Sequence, residues 1–198
     1  MSRPVPLPPA APPRLRVDYV HDATPEQLLA QADVLTVLGF GDDAPRVDDP
    51  RYLRVPLRPY GHGALEVWRA HAPVACGRAP VPAEAGGTIA WSCDGAIEVD
   101  EPAGHDGDGD HSGILLAAEH AYRQLARFIS AGEYPHLLRV WNYLDAITLG
   151  DGDTERYRQF CIGRARGLGD FDTTTLPAAT AIGRSDDART IQVYWLAA

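Results

Sequence analysis

The chain has 198 residues, 45% of them hydrophobic and 23% charged, with a formal net charge of −9. That size and balance suit one well-packed globular domain with extensions and are short for two. The acidic balance argues against nucleic acid or an anionic membrane surface as the main partner, and no apolar run approaches the about 18 residues that a membrane span needs.

The N-terminal run RPVPLPPAAPPR carries six prolines between Pro4 and Pro13. They break any signal-peptide hydrophobic region, so residues 1–17 read as a disordered, extended tail and 18–198 as a single domain. Val17–Val20 has the form of a short strand. Thr24-Pro25-Glu26-Gln27 has the form of a helix start, with Thr as N-cap, Pro at the first helical position and Gln at the capping-box position. Val34–Phe40 reads as a buried strand, and residues 41–63, rich in Asp, Pro, Arg and Gly, as a loop. Strand signals follow at Ala64–Ala70, Gly87–Cys93 and Ala96–Val99, the last two joined by the hairpin-type turn Asp94-Gly95.

The segment EPAGHDGDGDHSG places Asp106, Asp108 and Asp110 as a calcium loop would begin, but His111 and Ala117 stand where an EF-hand needs Gly and Glu. It reads as a polar loop, and His105 and His111 within it do not make a transition-metal site. No metal is expected. From Ser112 to Ala131, Leu115, Ala118, Tyr122, Leu125 and Ile129 follow the three-four spacing of one buried helix face, with Ser112 as cap and Gly132 as stop. A strand over 137–144, a helix over 153–168 and strands at Pro177–Gly183 and Thr190–Leu196 complete the chain. From residue 64 onward this order is that of an α+β domain, with helices on one face of a mixed sheet and the other face left to meet a subunit, a domain or a ligand.

The run LLRVWNYLDAITLGDGDTERYRQFCIGRARGL, residues 137–168, concentrates the chemistry. Period-two alternation puts Leu138, Val140 and Leu144 on one face of its strand and Arg139, Trp141 and Tyr143 on the other, with Asn142 opposite these. A helical period of about 3.6 residues gathers Tyr157, Cys161, Arg164 and Leu168 into one stripe, which places Arg164 on the side expected to be buried. A guanidinium there needs an anion, either a protein carboxylate or a ligand. Arg156 and Arg166 fall on the outer, solvated side, Glu155 favours the helix dipole, and Cys161 is a small core residue. Arg139, Arg158 and Arg164 are candidate clamps for a small anionic substrate, with Trp141 and Tyr143 as a flat wall. The strand face serves equally as a domain or subunit interface. All 18 basic residues are arginine, a planar cation suited to carboxylates. Three cysteines, Cys76, Cys93 and Cys161, without CxxC spacing point to a reducing, cytoplasmic setting. No GxGxxG, Walker or Ser-His-Asp pattern occurs, and no cofactor is expected.

VLTVLGFG at 34–41, LEVWRA at 65–70, the IAWSCDGAIEV hairpin, RVWNYLDAI at 139–147, ERYRQFCIGRA at 155–165 and LPAATAIG at 176–183 resemble the RidA (YjgF) superfamily. More closely they resemble the chorismatases of the 3-hydroxybenzoate and dihydroxycyclohexadiene carboxylate type. The resemblance implies a RidA-like, chorismate mutase-like fold, a mixed sheet with two helices on one face. It also implies a chorismate substrate and a homo-oligomer or a second RidA-like chain as partner. Two departures qualify it. Ala179 stands where RidA-type imine deaminases carry a carboxylate-binding arginine. Chorismatases resemble two such units in one chain with an acid/base glutamate in the second, and this sequence corresponds to the first, so its catalytic residue is left unassigned. The expectation is a chorismatase-like protein of secondary metabolism that needs a second unit, or else a non-catalytic binding subunit that retains the fold.

Overall fold

The computed structural model describes residues 15–59, 63–70, 78–82, 88–90, 97–100, 112–131, 134–184 and 189–197. Its strands form two mixed sheets. The first contains β1 (Leu15–Val20), β2 (Val34–Phe40), β3 (Tyr52–Val55) and β4 (Leu65–Ala70) in the order β1-β4-β2-β3. Only its β2–β3 pair is parallel. The second contains β5 (Arg78–Pro82), β6 (Thr88–Ala90), β7 (Ile97–Asp100), β8 (Leu137–Asp145), β9 (Ala178–Arg184) and β10 (Thr190–Ala197). Its order is β5-β6-β10-β8-β9, with β7 also on β10, and only β8–β9 is parallel. Three helices, α1 (Pro25–Leu29), α2 (Gly113–Ala131) and α3 (Arg156–Leu168), complete an α+β architecture. No described helix is long and apolar enough to cross a membrane.

Several local signals hold. Thr24 Oγ1 accepts from the Gln27 backbone N–H, and the Gln27 side chain accepts from the Thr24 N–H, completing the capping box before α1. Others do not. β3 lies inside the segment read as a loop, a four-residue strand held by parallel pairing with β2 rather than by any local pattern. β6 and β7 each pair with β10 and not, among the described residues, with each other, so the expected hairpin is not the pairing observed. The turn Asp94-Gly95, the proline-rich start up to residue 14 and the loop with Asp106, Asp108, Asp110, His105 and His111 lie outside the described residues.

The molecule is layered. α2 and α3 cover one face of the six-stranded sheet, where Val140, Leu144, Ile191, Val193 and Trp195 meet Ile114, Ala118, Tyr122, Leu125 and Phe160. The other face was expected to stand free. Instead the chain's own four-stranded sheet lies on it, packing Leu35, Leu38, Leu53 and Val55 against Trp141, Tyr143, Tyr194 and Leu196. Trp141 and Tyr143 are 6% and 2% exposed as a result. The N-terminal strands carry enough apolar surface on one side to supply this cover, and α1 closes their other side over Val34, Val37, Tyr52 and Val67.

The buried stripe of α3 also differs from the expected one. It consists of Arg156, Gln159, Phe160, Gly163 and Gly167, while Tyr157 is exposed and Cys161, Arg164 and Leu168 are half-buried at its margin. The two glycines set this rotation. A Cβ on Gly167 would lie 2.5 Å from the Glu119 carbonyl oxygen, and one on Gly163 would meet the Leu115 carbonyl closer still. The helices therefore cross backbone to backbone, and the bare edge of α3 turns inward where a stripe of larger side chains was expected. Gly163→Ala is expected to cost about 1–3 kcal/mol, because a carbonyl cannot rotate away as a side chain can. Its thermal midpoint should fall by several degrees. A midpoint equal to that of the parent chain would contradict the close crossing.

Candidate functional site

β8 carries the chemistry, because each of its faces meets a different layer. On the helix side the Tyr122 hydroxyl donates to Asn142 Oδ1 at 2.8 Å, and Asn142 Nδ2 donates to the Thr180 carbonyl at 2.9 Å. The amide thereby ties α2, β8 and β9 together. Burial raises the Tyr122 phenol to about 12, against a smaller opposing effect of the Arg164 guanidinium.

On the opposite face Trp68 of β4 stands edge-on to Trp141, with ring centres 5.3 Å apart. The Trp68 indole N–H donates to Glu66 at 2.7 Å. The Arg139 guanidinium lies 5.2 Å from the centre of the Trp141 ring and makes no ion pair or hydrogen bond to any described residue. Tyr143 packs beside Tyr194, and burial, followed by the Glu66 carboxylate, holds its phenol well above the ordinary value, with Arg139 acting the other way. In β9, Ala178, Thr180 and Ile182 are the register partners of Arg139, Trp141 and Tyr143. Ala178 and Ile182 are exposed, and the buried Thr180 Oγ1 has no hydrogen-bond partner among the described residues. The four-stranded sheet thus covers β8 and β10 but leaves the β9 margin open, with a guanidinium there that no described residue bonds. Such a group can hold a planar carboxylate.

The other candidate arginines lie elsewhere. Arg164 is on the helix side, with its guanidinium 5.9 Å from the centre of the Tyr122 ring. The sheet therefore separates it from Arg139. Arg158 is exposed and pairs with Asp153 at 2.8 Å and Glu155 at 3.8 Å. The three do not converge within the chain. The buried arginine that does require an anion is Arg156, which was expected on the solvated side. It is 3% exposed, and its terminal nitrogen donates to Asp145 Oδ1 at 2.6 Å and its Nε to the Asp145 carbonyl at 3.3 Å. Arg189 approaches the same carboxylate at 3.7 Å. The signal that could have found it is Phe160, the only phenylalanine of α3. Counting from it gives Arg156, Gly163 and Gly167 as the inward set. Ala179, at the position compared with the deaminase arginine, is exposed on β9. Among the described residues no group of three or more His, Cys, Asp or Glu side chains comes together to hold a metal.

Residues 66–197, which include β4 and every element of the helix-covered sheet, match the family described as Chorismatase FkbO/Hyg5-like, N-terminal. The chain belongs to this family. It is 35% identical over 121 residues to a chorismatase of Streptomyces hygroscopicus, a match covering 60% of this chain and 32% of that protein. It is 44% identical over 68 residues to a chorismatase of Streptomyces rapamycinicus, covering 33% and 20%. A crystal structure of chorismatase superposes with a TM-score of 0.60 at 29% identity, covering 92% of this chain and 53% of that one. The chain therefore spans about half of the solved chorismatase and a third or less of the curated relatives. β1, β2 and β3 lie ahead of the matched residues, so the sheet that covers the β8 face is only partly within the family match.

Two outcomes follow from the buried polar groups. Asp145→Asn leaves the Arg156 guanidinium buried without its carboxylate and is expected to cost about 3–5 kcal/mol in urea unfolding. The paired replacement Asp145→Leu with Arg156→Met should recover much of that loss. Additive losses in this cycle would show the pair to be uncoupled. For Tyr122 the folded phenol is raised above its unfolded value of 10.0, so its stabilisation is complete below pH 10 and is lost as pH rises toward about 12. Tyr122→Phe should flatten the fall in stability across that window, as read from unfolding curves at successive alkaline pH values.

Proposed function

We propose that this chain forms one side of a chorismate-processing site, completed by a second unit of RidA-like fold. The observation that carries this is Arg139: a guanidinium laid against Trp141, without a carboxylate partner among the described residues, at the open margin of β8 and β9. Chorismate offers two carboxylates and an enol ether. Arg139 takes one carboxylate in bidentate fashion from its place against the Trp141 ring, while Trp141 and Tyr143, expected as a wall, are covered by the four-stranded sheet. The second cation and the acid that protonates the enol ether come from the facing unit, either a further copy of this chain or a separate RidA-like chain. Hydrolysis then adds water to the protonated enol ether and releases pyruvate, whereas elimination expels the same pyruvyl arm as the ring aromatises. The similarity to chorismatases and the packing of α2 and α3 on one face of the sheet support this reading.

A second reading, a binding subunit without turnover, is favoured by one feature. Glu66, the carboxylate that shares the Trp68 face, already accepts from the Trp68 indole N–H. The deciding experiment incubates the purified chain with chorismate, following pyruvate and aromatic products by chromatography and affinity by calorimetry. Turnover supports the complete site, and saturable binding without turnover supports the subunit. In either case Arg139→Ala should weaken binding about tenfold or more, the equivalent of roughly 1.4 kcal/mol. A folded chain that neither binds nor converts chorismate, and whose sizing profile Arg139→Ala leaves unchanged, would sink both readings.

A further inference from the structure

A second guanidinium without a partner among the described residues lies on the far side of the six-stranded sheet. Arg164 makes no ion pair or hydrogen bond to any described residue, and its one contact of note is the face of Tyr122. It opens onto a cleft of about 270 Å³ lined by Cys161, Ala165, Leu168, Gly169 and Phe171 beside Arg164 itself. The crossing of α2 and α3 explains the placement. Gly163 is pressed onto the α2 backbone, so the next residue emerges at the edge of the helix pair and its cation settles on the Tyr122 ring. Arg164 is the charged residue of that lining.

We propose that this cleft binds a small organic carboxylate with an apolar body, independently of the Arg139 margin. The planar guanidinium takes the carboxylate, while Leu168 and Phe171 receive a ring or short aliphatic body. The volume lies just below the range of drug-sized ligand pockets, which limits the occupant to a single-ring or smaller acid. A phosphate dianion fits poorly, because it would want several donors and the cleft lining offers one guanidinium.

Cys161 provides a reporter inside the cleft. Benzoate is titrated against the full chain while alkylation of Cys161 by iodoacetamide is followed by peptide mass mapping. Benzoate should slow the reaction saturably, by about fivefold or more at saturation. Benzyl alcohol, with the same ring and no charge, should not protect, and inorganic phosphate should protect little. Arg164→Gln should abolish the protection, Phe171→Ala should weaken it, and Arg139→Gln should leave it intact, each in a variant shown to be folded by circular dichroism. Absence of protection in the parent chain, or protection that survives Arg164→Gln, would overturn the proposal. So would protection by phosphate equal to that by benzoate, or loss of protection in Arg139→Gln. None of these results bears on chorismate binding at Arg139, which is read separately.

Discussion

The arrangement of this molecule depends on β8 being buried on both faces. Every residue from Val140 to Asp145 is inaccessible, with helices on one side and the four-stranded sheet on the other. A strand in that position cannot leave a polar group unmatched without a large desolvation cost. Its polar members are therefore tied to neighbouring elements: Asn142 to Tyr122 and to the Thr180 carbonyl, and Asp145 to Arg156. These bonds fix α2, α3 and β9 around one strand and set the positions of Arg139 and Trp141 at its open margin.

The arginines sort by depth. The deepest, Arg156, carries its own carboxylate, and the most exposed of the candidates, Arg158, has surface partners of the kind that contribute little to stability. Between these extremes Arg139 and Arg164 are half-buried, each laid on an aromatic ring and neither bonded to a described carboxylate. Partial burial against an aromatic face leaves a guanidinium enough solvent to persist alone, yet orders it for an incoming anion. The two lie on opposite faces of one sheet, so they cannot act on the same small ligand within this chain.

That separation bears on the family relationship. Of the three candidate arginines, Arg139 alone lies on the side of the sheet that faces the four-stranded sheet, beside the exposed β9 residues Ala178 and Ile182. The chain spans about half of the solved chorismatase it resembles.

Local chemistry alone determined the α+β class, the capping box at Thr24, the long helix from residue 113 to 131, the alternation of β8 and the strings that relate the chain to chorismatases. These depend on neighbours a few residues apart, where period and capping rules apply. The cover over Trp141 and Tyr143, the strand at Tyr52–Val55 and the pairing of β6 and β7 with β10 depend on residues far apart in the chain. No local pattern encodes such contacts. The inward face of α3 was misplaced for a related reason. An amphipathic count seeks large apolar residues, whereas this interface is built on Gly163 and Gly167, whose missing side chains let two backbones meet. The tertiary structure consequently decided which arginine is buried with a carboxylate and which two remain open to a ligand, because burial is a property of what packs against a residue and not of the residue alone.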